Sequence, residues 1–193
     1  MMSTGNPGPV WSWFQSNEEK LYRLLGSDLT DVLYDEFIKY DSRLGVEVCT
    51  DQVVRDVIVT AQDQPAAFDS VKLLIRAAPP LDRWTFKALR PAKGFTFKTE
   101  ANGIKLDAST LMFESLESKS NPTALGLRVY VPGALEVNEW LSRMVTRAIS
   151  TGIGEELFSI VKHLEVQPGL GAEGNHSIKD LSRYIEWHIR RNS

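Results

Sequence analysis

The sequence predicts an α+β fold in one domain over residues 1–193. Its sheet is expected to be largely antiparallel or mixed, with about five helices packed mainly on one face. Apolar residues recur at helical spacing in five segments, and the runs between them alternate with period two and are rich in branched and aromatic residues. The resulting order, ααββα, four strands, then αβα, places strands beside strands more often than it alternates them with helices, which argues against a doubly wound fold.

The elements follow in chain order. Residues 1–10 read as a flexible lead. Ser16-Asn17-Glu18-Glu19 fits a capping box opening a first helix with Leu21, Leu24 and Leu25, which Gly26 stops. Leu29, Val32, Leu33, Phe37 and Tyr40 form one stripe of a second helix that Ser27 or Thr30 is placed to cap. Val46 to Thr50 and Val54 to Ala61 are strands straddling Asp51-Gln52, a short hairpin turn. Pro65 opens a third helix through Phe68, Val71, Leu74, Ile75 and Ala78, ended by Pro79-Pro80. Trp84, Phe86 and Ala88, then Phe95 and Phe97, alternate as strands. Leu111 to Leu116 and Ala124 to Val131 are two more strands, with Ser118-Lys119-Ser120-Asn121-Pro122 as their turn. Asn138 precedes a fourth helix with Leu141, Met144, Val145, Ala148 and Ile149 inward and Gly152 as its stop. Phe158, Ile160, Leu164 and Val166 share a strand face, residues 168–177 are loop, and Ser177 with Asp180 caps a last helix carrying Ile178, Leu181 and Ile185.

Composition narrows the function classes. The chain has 193 residues, 42% hydrophobic and 24% charged, the profile of a globular domain rather than a disordered or fibrous one. The lone cysteine, Cys49, excludes an internal disulfide and a cysteine-based zinc site and suits a reducing, cytoplasmic setting. No apolar run is long enough for a membrane helix, and the start lacks the pattern of a secretory signal. The net charge of -3 is uneven: residues 1–60 hold 5 basic and 10 acidic residues, whereas residues 61–100 hold 7 and 4.

The motifs that carry chemistry meet structural alternatives. Gly169-Leu170-Gly171-Ala172-Glu173-Gly174 spells a dinucleotide pattern, but only 19 residues follow Gly174, too few for a crossover helix and a ribose-binding strand. It is read as a turn. Lys72, Arg76, Arg83, Lys87, Arg90, Lys93 and Lys98 interleave with Trp84, Phe86, Phe95 and Phe97, a pattern that in residues 72–98 suits single-stranded nucleic acid. Strand alternation instead places the aromatics in the core and Lys87 and Lys98 in water, and an acidic chain argues against a general nucleic-acid binder. His163, His176 and His188 lack metal-ligand spacing, and His163 with Glu165 reads as a surface pair, so no metal or cofactor is expected. There is no G-x-S-x-G elbow, Cys49 reads as a sheet residue, and no catalytic residue is assigned. Glu155 and Glu156 lie in a tight turn before a strand, while Asp31 and Asp35 form an exposed acidic face. Trp11, Trp13 and Phe14 either dock as a lid or face a partner.

Trp11-Ser12-Trp13-Phe14, Arg55-Asp56-Val57-Ile58-Val59-Thr60-Ala61, Ala78-Pro79-Pro80-Leu81-Asp82-Arg83-Trp84 with Leu89-Arg90-Pro91, and Gly154-Glu155-Glu156 together resemble an uncharacterised family of small bacterial cytoplasmic proteins. That resemblance implies one small cytoplasmic domain and carries over no activity.

The leading expectation is a non-enzymatic binding protein that recognises a protein partner or a second copy through Trp11, Trp13 and Phe14. The alternative is a small-molecule binder or enzyme whose pocket draws Arg55, Trp84, Arg90, Glu155 and Glu156 together at strand ends. Nucleic-acid binding through residues 72–98 is third.

Overall fold

The computed structural model describes residues 5–116, 121, 124–171 and 175–192. The fold is α+β, as expected, and the chain forms two compact units, Met1–Arg90 and Pro91–Ser193. Each has its own buried apolar cluster.

In the first unit, α1 (Gly8–Arg23) and α2 (Gly26–Phe37) lead into β1 (Gly45–Cys49) and β2 (Arg55–Thr60), followed by α3 (Phe68–Arg76) and β3 (Trp84–Ala88). β1 and β2 form the expected antiparallel hairpin, whereas β3 joins β2 in parallel, with Val57 opposite Phe86. A parallel neighbour needs a crossover, and α3 supplies it. Val46, Val48, Val57, Val59, Trp84 and Phe86 share one sheet face and enter one cluster with Phe14, Leu33, Phe37, Val71 and Leu74 of the helices. The opposite face carries Lys87 bonded to Asp56 at 2.7 Å.

Three local expectations are corrected here. α1 starts at Gly8 with Pro7 before it, so Ser16 lies inside the helix and donates to the Ser12 carbonyl instead of capping. Inside a helix a serine hydroxyl bonds back to the carbonyl one turn earlier, and the capping-box pattern loses its meaning. Val10 is buried, so the lead is not a loose tail through residue 10. α2 is preceded by Leu25 without a side-chain cap, and Thr30 donates to the Gly26 carbonyl.

After α2, Arg43 grips Asp41 through Nε at 2.9 Å and Nη2 at 2.5 Å and donates Nη1 to the Ala66 carbonyl at 2.9 Å. These bonds hold the Asp41 carboxyl well below the usual carboxylate range, Arg43 outweighing desolvation. A carboxyl lowered in the folded state contributes stability that is present above its unfolded pKa, about 3.9, and lost as pH falls below it. Wild type should therefore exceed Asp41→Asn in stability at neutral pH by a margin that shrinks as the medium is acidified below about pH 4. Urea titrations across that range check this, and a margin independent of pH would contradict it.

In the second unit, β4 (Lys98–Ala101) and β5 (Ile104–Asp107) form a hairpin, and β6 (Met112–Leu116), β7 (Leu125–Val131), β8 (Val161–Pro168) and β9 (His176–Ser177) form a sheet ordered β8-β7-β6-β9. β6 pairs antiparallel with β7 and β9, and β8 joins β7 in parallel. The crossover between β7 and β8 contains α4 (Glu139–Ile153) and the short α5 (Glu155–Phe158); α6 (Leu181–Arg191) ends the unit. Phe113, Leu127 and Val129 of the sheet, Val145 and Ile149 of α4, and Leu181 and Ile185 of α6 share one core.

The strand expected at Phe95 and Phe97 begins only at Lys98, and the β4–β5 hairpin was not expected. Its turn, Asn102-Gly103, has φ of 51° and 75°, the left-handed pair that a two-residue hairpin requires. Gly152 lies inside α4, where an added Cβ would sit 2.2 Å from the Phe95 ring; Gly154, with φ of 83°, follows the last residue of α4 and caps its end. Phe158 belongs to α5, not to β8. In the 168–177 segment β8 runs on through Pro168 and β9 closes the far end. Between them Gly171 has φ of 75°, and a Cβ there would lie 2.6 Å from the Tyr130 ring, so close packing on Tyr130 accounts for that glycine. Residues 172–174, with Gly174 of the dinucleotide-like pattern, lie outside the described residues, as does the predicted turn 118–122 apart from Asn121.

Candidate functional site

The residues singled out from sequence are divided between the two units. Arg55, Trp84 and Arg90 belong to the first unit, Glu155 and Glu156 to the second. Arg55 and Trp84 meet at the start of β2 and β3, where the guanidinium lies 5.7 Å from the Trp84 ring and 4.4 Å from that of Tyr22. Arg55 is buried and donates Nη1 to the Leu24 carbonyl at 2.7 Å, closing the end of α1; its Nε has no hydrogen-bond partner among the described residues. Arg83 lies 4.3 Å from the Tyr22 centroid and donates to Glu18 at 2.9 Å, which also accepts from Trp84 Nε1 at 2.8 Å. The Arg83 bonds hold the Glu18 carboxyl below its ordinary range. Arg90 follows the other end of β3, buried between Glu47 at 2.8 Å and Asp63 at 3.4 Å. Glu155 is fully buried, whereas Glu156 is exposed.

The aromatic start is part of the core. Trp11 and Phe14 are buried, Trp13 is half-buried against them, and Trp11 Nε1 donates to the Leu74 carbonyl at 2.8 Å. Helix α1 carries these rings inward, which is the docked alternative of the two that the sequence leaves open. Of the basic stretch, Arg83, Lys87 and Arg90 are engaged with acids of the first unit and Lys98 with Asp107 of the second.

On the outer face of the larger sheet, Arg128 donates Nε to Glu165 at 2.9 Å and Nη1 to Glu114 at 2.6 Å, while Tyr130 donates to Glu114 at 2.9 Å. His163 Nε2 lies 3.0 Å from Glu165, the surface pair that alternation predicts. His163 first, and then Arg128, lower the Glu165 pKa, and Glu165 in turn holds the Arg128 guanidinium charged. Cross-strand neighbours 165, 128 and 114 make this an ion-pair row across three strands. His176 stacks beside Phe113 and Tyr184, with centroids 5.3 and 5.7 Å away. Among the described residues no group of three or more His, Cys, Asp or Glu is placed to hold a metal ion, and no helix is long and apolar enough to cross a membrane.

A cleft of about 420 Å³ opens between the β4–β5 hairpin and α4. Asn138 starts the helix by accepting from Leu141 N at 2.8 Å, and from there Trp140, Arg143, Met144, Arg147, Ala148 and Thr151 line the cleft. Their spacing of three, four, seven, eight and eleven is one continuous helical face. Leu141, Val145 and Ile149 turn the other way into the core. The opposite wall is Phe97, Lys98, Thr99 and Ala101. Thr99 opposes Leu106 and Ala101 opposes Ile104, so these positions face the core side of the hairpin. Thus the cleft is a gap in the core layer, open at the β4 side, with Met144 and Ala148 nearly buried and Trp140, Arg143, Arg147 and Lys98 exposed.

Sequence reasoning missed this site. The helical stripe gives Met144 and Ala148 as inward, but nothing local connects the cationic positions 143 and 147 beside them to Lys98. The signal that would have led there is Asn102-Gly103 between Ala101 and Ile104, which folds residues 97–107 back on themselves. Comparison of the chain with protein-family models, with curated proteins and with solved structures found no match.

Proposed function

We propose that this chain is a binding protein whose ligand is a small molecule held in the cleft between the hairpin and α4. The observation that carries this reading is the cleft itself: its volume of about 420 Å³ lies within the range of ligand sites, about 300–1,000 Å³, and apolar walls meet a few polar groups there. Its side chains are suited to recognition: the Trp140 and Phe97 rings, the Met144 thioether, and the Thr99 and Thr151 hydroxyls beside three cations. A bacterial source and a cytoplasmic location belong to the same reading, supported by the resemblance noted above and by the lone Cys49.

A protein partner is the second reading, favoured by Trp140. This side chain is 53% exposed at the cleft and stands beside Arg143, and tryptophan and arginine are the residue types that most often dominate binding energy at protein interfaces.

Amide chemical shifts of the labelled protein, followed during a screen of small organic fragments, test the small-molecule reading. Fragments should move the amides of residues 97–101 and 140–151 together. Hits confined to other regions, or none at all, would sink it in favour of the second reading.

A further inference from the structure

We infer that the cleft takes an amphipathic anion, an apolar chain or ring that ends in a carboxylate or a comparable acid group. The inference rests on the cleft being the binding site and names what the site selects. Its ten lining residues include three cations, Lys98, Arg143 and Arg147, and no acid. That balance departs from the chain as a whole, in which acids outnumber bases by 25 to 22. A low-polarity wall beside concentrated positive charge attracts anions more strongly than either feature alone, because the wall excludes the water that would screen them.

Two of the cations, Arg143 and Lys98, sit in exposed ion pairs. Arg143 pairs with Glu139 at 2.5 Å, with the two side chains 66% and 76% exposed, and Lys98 pairs with Asp107 at 3.1 Å, with Lys98 80% exposed. Exposed pairs of this kind are worth about 0–1 kcal/mol, so an arriving carboxylate can take over the guanidinium or ammonium at little cost. Arginine favours such an exchange because its planar fork donates to both oxygens of an acid group.

The other half of the ligand follows from burial. Met144 is 8% exposed and Ala148 2%, and together with Phe97 they form an apolar floor below the cations. The space holds roughly a dozen water-sized groups. Bare inorganic anions would leave that floor wet, whereas a hydrocarbon body fills it and gains about 0.8 kcal/mol for each methylene buried.

Octanoate, octanol and octylammonium share one chain and differ in the head, so titrating each against the labelled full-length protein isolates the charge. The expected result is that octanoate moves the amides of residues 97–101 and 140–151 and binds at least tenfold tighter than octanol, with octylammonium weakest and acetate at least tenfold weaker than octanoate. In the Arg143→Glu, Arg147→Glu double variant, octanoate should lose at least tenfold while octanol keeps its affinity. Both arginines are exposed, and an unchanged melting temperature will certify the fold of the variant. Equal binding of octanoate and octanol overturns the anion assignment and leaves the cleft as the site. Equal binding of acetate and octanoate overturns the amphipathic part. If no probe moves these amides, the reading of the cleft itself falls.

Discussion

Phe14→Ala is expected to destabilise the first unit by about 3–5 kcal/mol, the cost of deleting a large, fully buried aromatic side chain. Phe14 has no exposed surface, and its ring meets Trp11, Trp84 and Phe86 with centroids 5.9, 5.0 and 5.2 Å away. Its neighbours come from α1 and β3, so the void lies between layers that cannot collapse without moving a helix. Trp13→Ala, one residue earlier and only half-buried, should cost markedly less. Equilibrium unfolding in urea measures both. If Phe14→Ala stays within about 0.5 kcal/mol of wild type, as exposed substitutions do, the buried assignment is wrong and a partner-facing role returns.

Arg90→Met should cost about 3 kcal/mol, toward the lower end of what breaking a buried ion pair costs. The Arg90 side chain is 2% exposed, while Glu47 and Asp63 are 29% and 26% exposed, so the abandoned carboxylates recover part of their hydration. Methionine retains much of the apolar stem, which confines the loss mainly to the charge. Leu89, immediately before it, is held at a φ of 62° by its N–H bond to the Val59 carbonyl at 2.8 Å, a conformation costly for a branched side chain. Arg90 therefore anchors the chain where β3 ends. Adding Glu47→Gln to Arg90→Met should return part of the stability by removing one uncompensated charge. A double variant no more stable than Arg90→Met alone would show that packing dominates there.

How far the elements could be read from sequence depended on how local their causes are. Asn138 and the stripe of Leu141, Val145 and Ile149 specify α4 through contacts within a few residues, and the structure places that helix as expected. The alternation of Leu125 to Val131 likewise specifies β7. Ser16 misled because a capping motif and a mid-helix serine differ only in what precedes them, and the Trp11 and Phe14 spacing that extends α1 backward is equally compatible with a docked tail. Gly152 misled for a different reason. A glycine at a helix end and a glycine that admits a ring look alike until Phe95, 57 positions earlier, is seen against it.

Sequence by itself determined the class of this protein, an α+β chain of amphipathic helices and antiparallel or mixed strands, because periodicity and burial are coupled residue by residue. Only the tertiary structure decided which cations meet acids away from the cleft and which line it. Arg83, Lys87 and Arg90 meet acids of their own unit, whereas Lys98, Arg143 and Arg147 converge on the cleft from a hairpin and a helix more than forty residues apart. The reason is physical: a charge's role depends on what lies within a few ångströms, and long-range pairing, not neighbouring sequence, brings those groups together.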